Sequence, residues 1–128
     1  MIVAGVGCRR GAPALDIEAA IRGALARAGI SADALDALAT VAAKENETGI
    51  KAAAEKLGVE VIVVPQADLQ AVSGQTQTRS ERVLVLMGVP SVAEAAALAA
   101  AGPRARLLGP RLVIGAAACA VAIAGGAP

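Results

Sequence analysis

The chain contains no phenylalanine, tyrosine or tryptophan, and no histidine. Without aromatic rings the core must be filled by Val, Ile, Leu and Ala, and base stacking of the kind that holds single-stranded nucleic acid is unavailable. Without histidine the commonest metal ligand and the usual general base at neutral pH are missing. The two cysteines, Cys8 and Cys119, lie far apart and form no C-x-x-C pair, so neither a zinc knot nor a thioredoxin-like redox site is indicated and reduced thiols are expected. An excess of one charge is lacking too. The 12 Lys and Arg face 11 Asp and Glu, a formal charge of +1, which provides no global field for nucleic acid or an acidic membrane. Any electrostatic function must be local. No basic n-region precedes the first apolar residues, so no signal peptide is expected. The most apolar stretch, Leu112 to Ala124, is about half the length a membrane-spanning helix requires and contains Gly115, so it reads as buried strand. These features predict a cytoplasmic chain that uses no metal or cofactor and binds neither nucleic acid nor membrane.

What is present is apolar and aliphatic. Of 128 residues, 56% are hydrophobic and 18% charged, enough apolar surface to offset the chain entropy lost on folding, and residues 1–128 are read as a single domain. The run Ile2 to Val6 is continuous, as in a strand covered on both faces. After the loop Gly7 to Pro13, Leu15, Ile17, Ile21, Leu25 and Ala28 recur at near-helical spacing, and Gly29 supplies a left-handed stop. Ser31 or Asp33 is expected to cap a short turn. Leu38 to Val41 is the second strand. Thr48 is the expected N-cap of a helix burying Ile50, Ala54 and Leu57, with Gly58 as its stop. Val61 to Val64 follows as a strand, Asp68 to Val72 as one helical turn, and Ser73 to Thr78 as a mobile surface loop. Val83 to Met87 fits either a strand or a short helix, the helix being preferred. Ser91 and Glu94 match a capping box that starts an Ala-rich helix to Ala101, stopped by Gly102 and Pro103. Arg106 to Leu108 and Ala118 to Ala124 read as strands, and Gly125 to Pro128 as a fraying tail. Strands alternating with helices predict an α/β domain with helices on both faces of a largely parallel sheet.

In such sheets ligands bind outside the carboxyl ends of strands. Three constellations meet that rule. In Gly7-Cys8-Arg9-Arg10-Gly11, glycine amides, a helix N-terminus and two guanidinium groups favour an anion, although a solvated turn with surface arginines is the alternative. The glycines do not form G-x-G-x-x-G, since the last interval is one residue too long, so a dinucleotide site is disfavoured. Cys8 is better read as a small residue packed under the loop than as a nucleophile, because no histidine base exists. Lys44, Glu47 and Gly49 form the second group, whose charges alone favour a solvated face over a pocket. Ser91 and Glu94 form the third, and capping alone accounts for both.

Taken in order, Gly5-Val6-Gly7-Cys8-Arg9-Arg10-Gly11, Leu38-Ala39-Thr40 leading to Lys44-x-x-Glu47-x-Gly49, and Gly88-Val89-Pro90-Ser91-Val92-Ala93-Glu94-Ala95-Ala96-Ala97-Leu98 resemble the recurrent motifs of the CobE and CbiG C-terminal family. The closing Ala120 to Ala124 is similar as well, with Cys119 where the family's pattern has threonine. The resemblance implies a three-layer α/β/α sandwich, its sheet largely parallel or mixed with about five strands, and a part in building the corrin ring of cobalamin. Corrin and precorrin intermediates carry several acetate and propionate groups, for which Arg9, Arg10 and Lys44 are suitable partners. The implied role is an accessory or carrier protein, with Gly7, Cys8, Arg9, Arg10, Gly11, Lys44, Glu47, Ser91 and Glu94 as candidate ligand-binding residues. Two alternatives stay open. One is an enzyme like CbiG, which opens a lactone on a cobalt-precorrin, here with Glu47 or Glu94 as base. The other is a structural partner for another cobalamin-pathway enzyme.

Overall fold

The computed structural model describes residues 1–76 and 91–125. The expectations for Gln77 and Thr78, for Val83 to Met87, for Gly88 to Pro90 and for Gly126 to Pro128 therefore lie outside the described residues. Within them the order is β1 (Ile2–Cys8), α1 (Ala14–Arg27), β2 (Ala37–Val41), α2 (Thr48–Leu57), β3 (Glu60–Val64), α3 (Gln66–Ala71), α4 (Val92–Ala101), β4 (Arg106–Leu107), β5 (Leu112–Ile114) and β6 (Ala117–Ile123).

The strands form one sheet in the order β3-β2-β1-β6-β4, with β5 also paired to β6. β1 to β3 are mutually parallel, but β6 runs antiparallel to β1, and both β4 and β5 run antiparallel to β6. The sheet is thus mixed rather than largely parallel. The stretch from Leu112, expected as one strand, is a hairpin. Gly115, at φ 56, turns the chain so that Ile114 faces Ala117, a conformation that residues bearing a Cβ rarely adopt.

Strand residues alternate between two cores, as a period of two requires. Ala4, Val6, Leu38, Ala117, Cys119 and Val121 pack with Ile17, Ile21, Leu25, Ile50 and Ala53 of α1 and α2. Val3, Ala39, Val41, Val64 and Ala122 pack on the other face with Leu69 of α3 and Ala95 to Leu98 of α4. This is the three-layer α/β/α arrangement.

The second helical layer sits unusually close to the sheet. A Cβ at Gly5 would lie 2.0 Å from the Ala93 carbonyl oxygen and 2.6 Å from the Ala97 nitrogen, so β1 and α4 touch backbone to backbone. The alanines of α4 are the helix half of that fit.

Several local expectations are revised. Leu15 is 74% exposed, because the stripe that α1 turns inward is Ile17, Ala20, Ile21, Ala24 and Leu25, and a residue two positions before Ile17 lies on the opposite side of the helix. Thr48 is the first helical residue of α2 instead of its N-cap; Glu47 holds that position and caps with no side-chain bond. Ser31, of the two candidates, is the cap of its turn, its Oγ accepting from the Asp33 amide. Ser73 to Gln75 form a 3-10 turn in which the Thr76 hydroxyl donates to the Ser73 carbonyl. Gly125 lies against the Arg104 backbone and so has a packing partner.

Candidate functional site

At the carboxyl ends of β1 and β2 a cleft of about 820 Å³ opens on the α4 side, lined by residues of the β1–α1 loop, Lys44, the start of α4, Arg111 and the β5–β6 hairpin. Its size lies within the range of roughly 300–1,000 Å³ usual for small-molecule sites.

The cleft brings together Gly7, Cys8, Arg9, Arg10 and Lys44 with Arg111. The cations reach it from three separate segments. Arg9 and Arg10 leave β1, and the Arg9 amide donates to the Ala116 carbonyl at 2.9 Å, tying the loop to the hairpin. Lys44 ends a short 3-10 turn directly after β2. Arg111 precedes β5 in a turn held from both helical layers, for the Arg27 guanidinium donates to the Pro110 carbonyl and the Arg111 amide donates 2.8 Å to Glu94 Oε2. Among the described residues none of these four cations forms a carboxylate ion pair; the pairs there join Glu18 to Arg22 and Lys56.

The acids near the cleft are engaged by backbone. Glu47 Oε1 accepts from the Gly11 amide at 2.8 Å and Asp16 Oδ2 from the Ala116 amide at 3.1 Å, while Glu94 is fully buried with its bond to the Arg111 amide. Such charge-assisted bonds are stronger than neutral ones and orient the loops they grip. A near-neutral chain thereby presents a basic surface locally: its carboxylates point at amides and its cations at the opening.

This divides the candidate residues into two groups. Gly7, Cys8, Arg9, Arg10 and Lys44 line the cleft, whereas Gly11, Glu47, Ser91 and Glu94 do not. Gly11 and Glu47 are the two ends of one loop tie. Gly49 completes it, since a Cβ there would lie 2.5 Å from the Ala12 carbonyl oxygen. Ser91 is buried, and its Oγ accepts from the Glu94 amide at 3.4 Å, the first half of the expected capping box. Glu94, however, directs Oε2 to Arg111, so its carboxylate connects α4 to β5 instead of serving the helix end alone. Thr40 donates its hydroxyl to the Val6 carbonyl at 3.0 Å and fixes the ends of β1 and β2 against each other.

Arg111 was not among the candidates, and neither were Val92, Val113 or Ala118. The available signal was Gly109-Pro110-Arg111, a turn placing a cation immediately before an apolar run, and Gly115 splitting that run into a hairpin. Neither cysteine is activated. Burial pushes the Cys8 thiol up, with Lys44 acting against it and Glu47 adding to it. Cys119 is fully buried on the α1 face and its thiol is pushed up to about 12 by burial.

Fold and cleft define a class: a three-layer α/β/α domain with a basic recess at the carboxyl edge of its central strands. The chain belongs to the cobalamin synthesis G C-terminus family, whose sequence profile matches residues 2–122, and is thus a protein of cobalamin biosynthesis. Protein CobE of a Sinorhizobium species is 36% identical over 121 residues, covering 94% of this chain and 79% of that protein. The cobalt-precorrin-5A hydrolase of Priestia megaterium is 32% identical over 102 residues, 80% of this chain but only 27% of the hydrolase. The crystal structure of CobE, from the cobalamin (vitamin B12) biosynthetic pathway, superposes with a TM-score of 0.89 at 37% identity, covering 95% of this chain and 89% of that one. That of cobalamin biosynthesis protein chiG from Agrobacterium tumefaciens gives 0.78 at 44% identity, with 98% and 100% covered.

Proposed function

We propose that the chain holds a polycarboxylate corrin or precorrin intermediate in the basic cleft and acts as a carrier or accessory protein of the pathway. One observation carries this reading: Arg9, Arg10, Lys44 and Arg111 arrive from three chain segments at one opening, with no carboxylate ion pair among the described residues. Arg9 and Arg10 are exposed and Lys44 and Arg111 half-buried, so four like charges gathered at one opening raise the local potential and favour an anion there. An intermediate bearing several acetate and propionate groups supplies that anion, and guanidinium groups match carboxylates through two parallel hydrogen bonds.

The lactone-hydrolase reading requires a carboxylate base facing the ligand. Glu47 and Glu94, its two candidates, each accept from a loop amide and neither lines the cleft. A carrier needs no such base, which favours stoichiometric binding with the ligand unchanged. Docking to another pathway enzyme is compatible with carriage, since the bound intermediate must be passed on.

The test is a titration of the purified protein with corrin-pathway intermediates, followed by absorbance, for the wild type and for Arg9→Glu/Arg10→Glu. The double variant is expected to bind about a hundredfold more weakly or worse, given the cost of unpairing buried charge at an interface, with its far-ultraviolet circular dichroism unchanged. Equal affinity for the two proteins overturns the proposal. Catalytic turnover of an intermediate by the wild type replaces it with the enzyme reading.

A further inference from the structure

The inference drawn here rests on the carrier reading and concerns how the ligand sits. Strand register fixes the floor of the cleft. Gly7 of β1 faces Ala118 of β6, and Ala118 faces Val113 of β5, so the three residues form one row across three adjacent strands on the α4 face. All three line the cleft.

One step further into the sheet on the same face, the row containing Gly5 and Ala120 is covered, with a Cβ at Gly5 colliding with α4 and Ala120 fully buried. At Gly7 the helix has just begun: the nearest atoms to a Cβ placed there are those of Val92 and Ala93, at 3.7 to 3.8 Å. Among the described residues, α4 therefore begins one row short of the strand ends and leaves a strip of sheet uncovered. That strip is smooth, because its members carry no side chain, a methyl group and an isopropyl group. With strands about 4.8 Å apart, the row is about 10 Å wide.

We infer that this row is a flat shelf on which a broad ring lies face-on, its acid groups reaching outward to the cations around it. Lys44 stands beyond β2 on one side and Arg111 beside β5 on the other, three strand positions away in the order β2-β1-β6-β5, or about 14 Å. A compact anion such as inorganic phosphate could touch both only if both long side chains folded inward over the shelf, whereas a ring with acids on opposite edges spans the separation. The ligand class is thus a wide, flat polyacid held by its face and by two edges. Apolar contact is supplied by the shelf, and charge fixes the orientation.

Ala118, at the centre of the row, is the residue on which this turns. It carries no charge and makes no side-chain hydrogen bond, so enlarging it changes the shelf alone. The probe is a metal-free corrin with its peripheral acetates and propionates as free acids, titrated by absorbance against wild type, Ala118→Val, Ala118→Leu and Arg9→Glu/Arg10→Glu. Affinity is expected to fall progressively with side-chain size, by about tenfold or more for leucine, because a filled shelf forces the ring off its seat. Ala118→Val serves as the gentler step should leucine perturb the fold, and thermal melts report that directly. Wild-type affinity in both Ala118 variants, with loss in the arginine double variant, overturns the shelf and leaves the charge-based carrier reading standing. Unchanged affinity in all the variants removes both. A competing titration with inorganic phosphate that displaces the corrin at equimolar concentration also overturns the two-edge seat.

Discussion

The two faces of the sheet are built differently, and the site follows from the difference. On the α1 and α2 side, Ile17, Ile21, Leu25, Leu38 and Ile50 fill a deep layer of branched side chains. On the α4 side the layer is thin: Gly5, Ala39 and Ala122 meet Ala95 to Ala97, and backbone nearly touches backbone. The thick layer covers the strand ends, with Cys8 and Ala117 packed into its core. Among the described residues, the thin one ends at Val92, and the Gly7, Ala118 and Val113 row lines the cleft. A layer made of small side chains brings the start of α4, with Val92 and Ala93, to the edge of the cleft. The thickness of a packing layer here decides where the surface is free to bind.

That contrast yields a direct test. Adding a single methyl group to the thin face with Gly5→Ala should destabilise the fold by about 3 kcal/mol, because the new Cβ meets backbone atoms that cannot give way. Removing one methyl group from the thick face with Ile17→Val should cost only about 1 kcal/mol. Denaturant unfolding of the two variants measures both, and similar small losses would mean that the two layers are equally adaptable. Between these extremes, Glu47→Ala releases the Gly11 amide and should cost about 1.5 kcal/mol, reduced by the exposure of the bond. Its sharper readout is ligand affinity: the variant should bind the corrin probe several-fold more weakly, since the loop bearing Arg9 and Arg10 loses its tie. Unaltered affinity would show that the loop is held by its backbone alone.

The smallest expected effect lies on the thick face, far from the cleft. Arg22 and Lys56 hold the Glu18 carboxyl below its ordinary value of 4.5. A carboxyl lowered in the folded state contributes stability above its unfolded value and loses it as pH falls through the folded one. Wild type should therefore lose stability relative to Glu18→Gln only below about pH 4.5, a difference that added salt should shrink. Unfolding curves at pH 3 and pH 7 measure it, and an equal difference at both values would rule out the ion pairs as its cause.

Much of the fold was legible because its signals are local. Continuous apolar runs marked β1, β2 and β3; Gly29 and Gly58, at φ +74 and +72, closed α1 and α2 as expected; Ser91 with Glu94 marked the start of α4. The cations of the β1–α1 loop and Lys44 were legible as candidates by the strand-end rule, which depends only on chain order. The hairpin at Gly115 was missed because composition cannot separate one long apolar strand from two short ones. Leu15 stands two residues before Ile17, an interval that puts the two on opposite sides of a helix, so an apolar residue close in sequence to the buried stripe is still exposed.

By itself the sequence determined the inventory: an aliphatic core without rings, no histidine for base or metal chemistry, a balance of charge, and alternating elements that admit an α/β sandwich. Whether Glu47 and Glu94 would face a ligand or a backbone amide, and whether Arg111 would join the distant Arg9, Arg10 and Lys44, only tertiary structure decided. The physical reason is that the partners which settle a side chain's role, Gly11 for Glu47 and the Arg111 amide for Glu94, are brought close by strand order and register. Those are long-range properties that local periodicity does not encode.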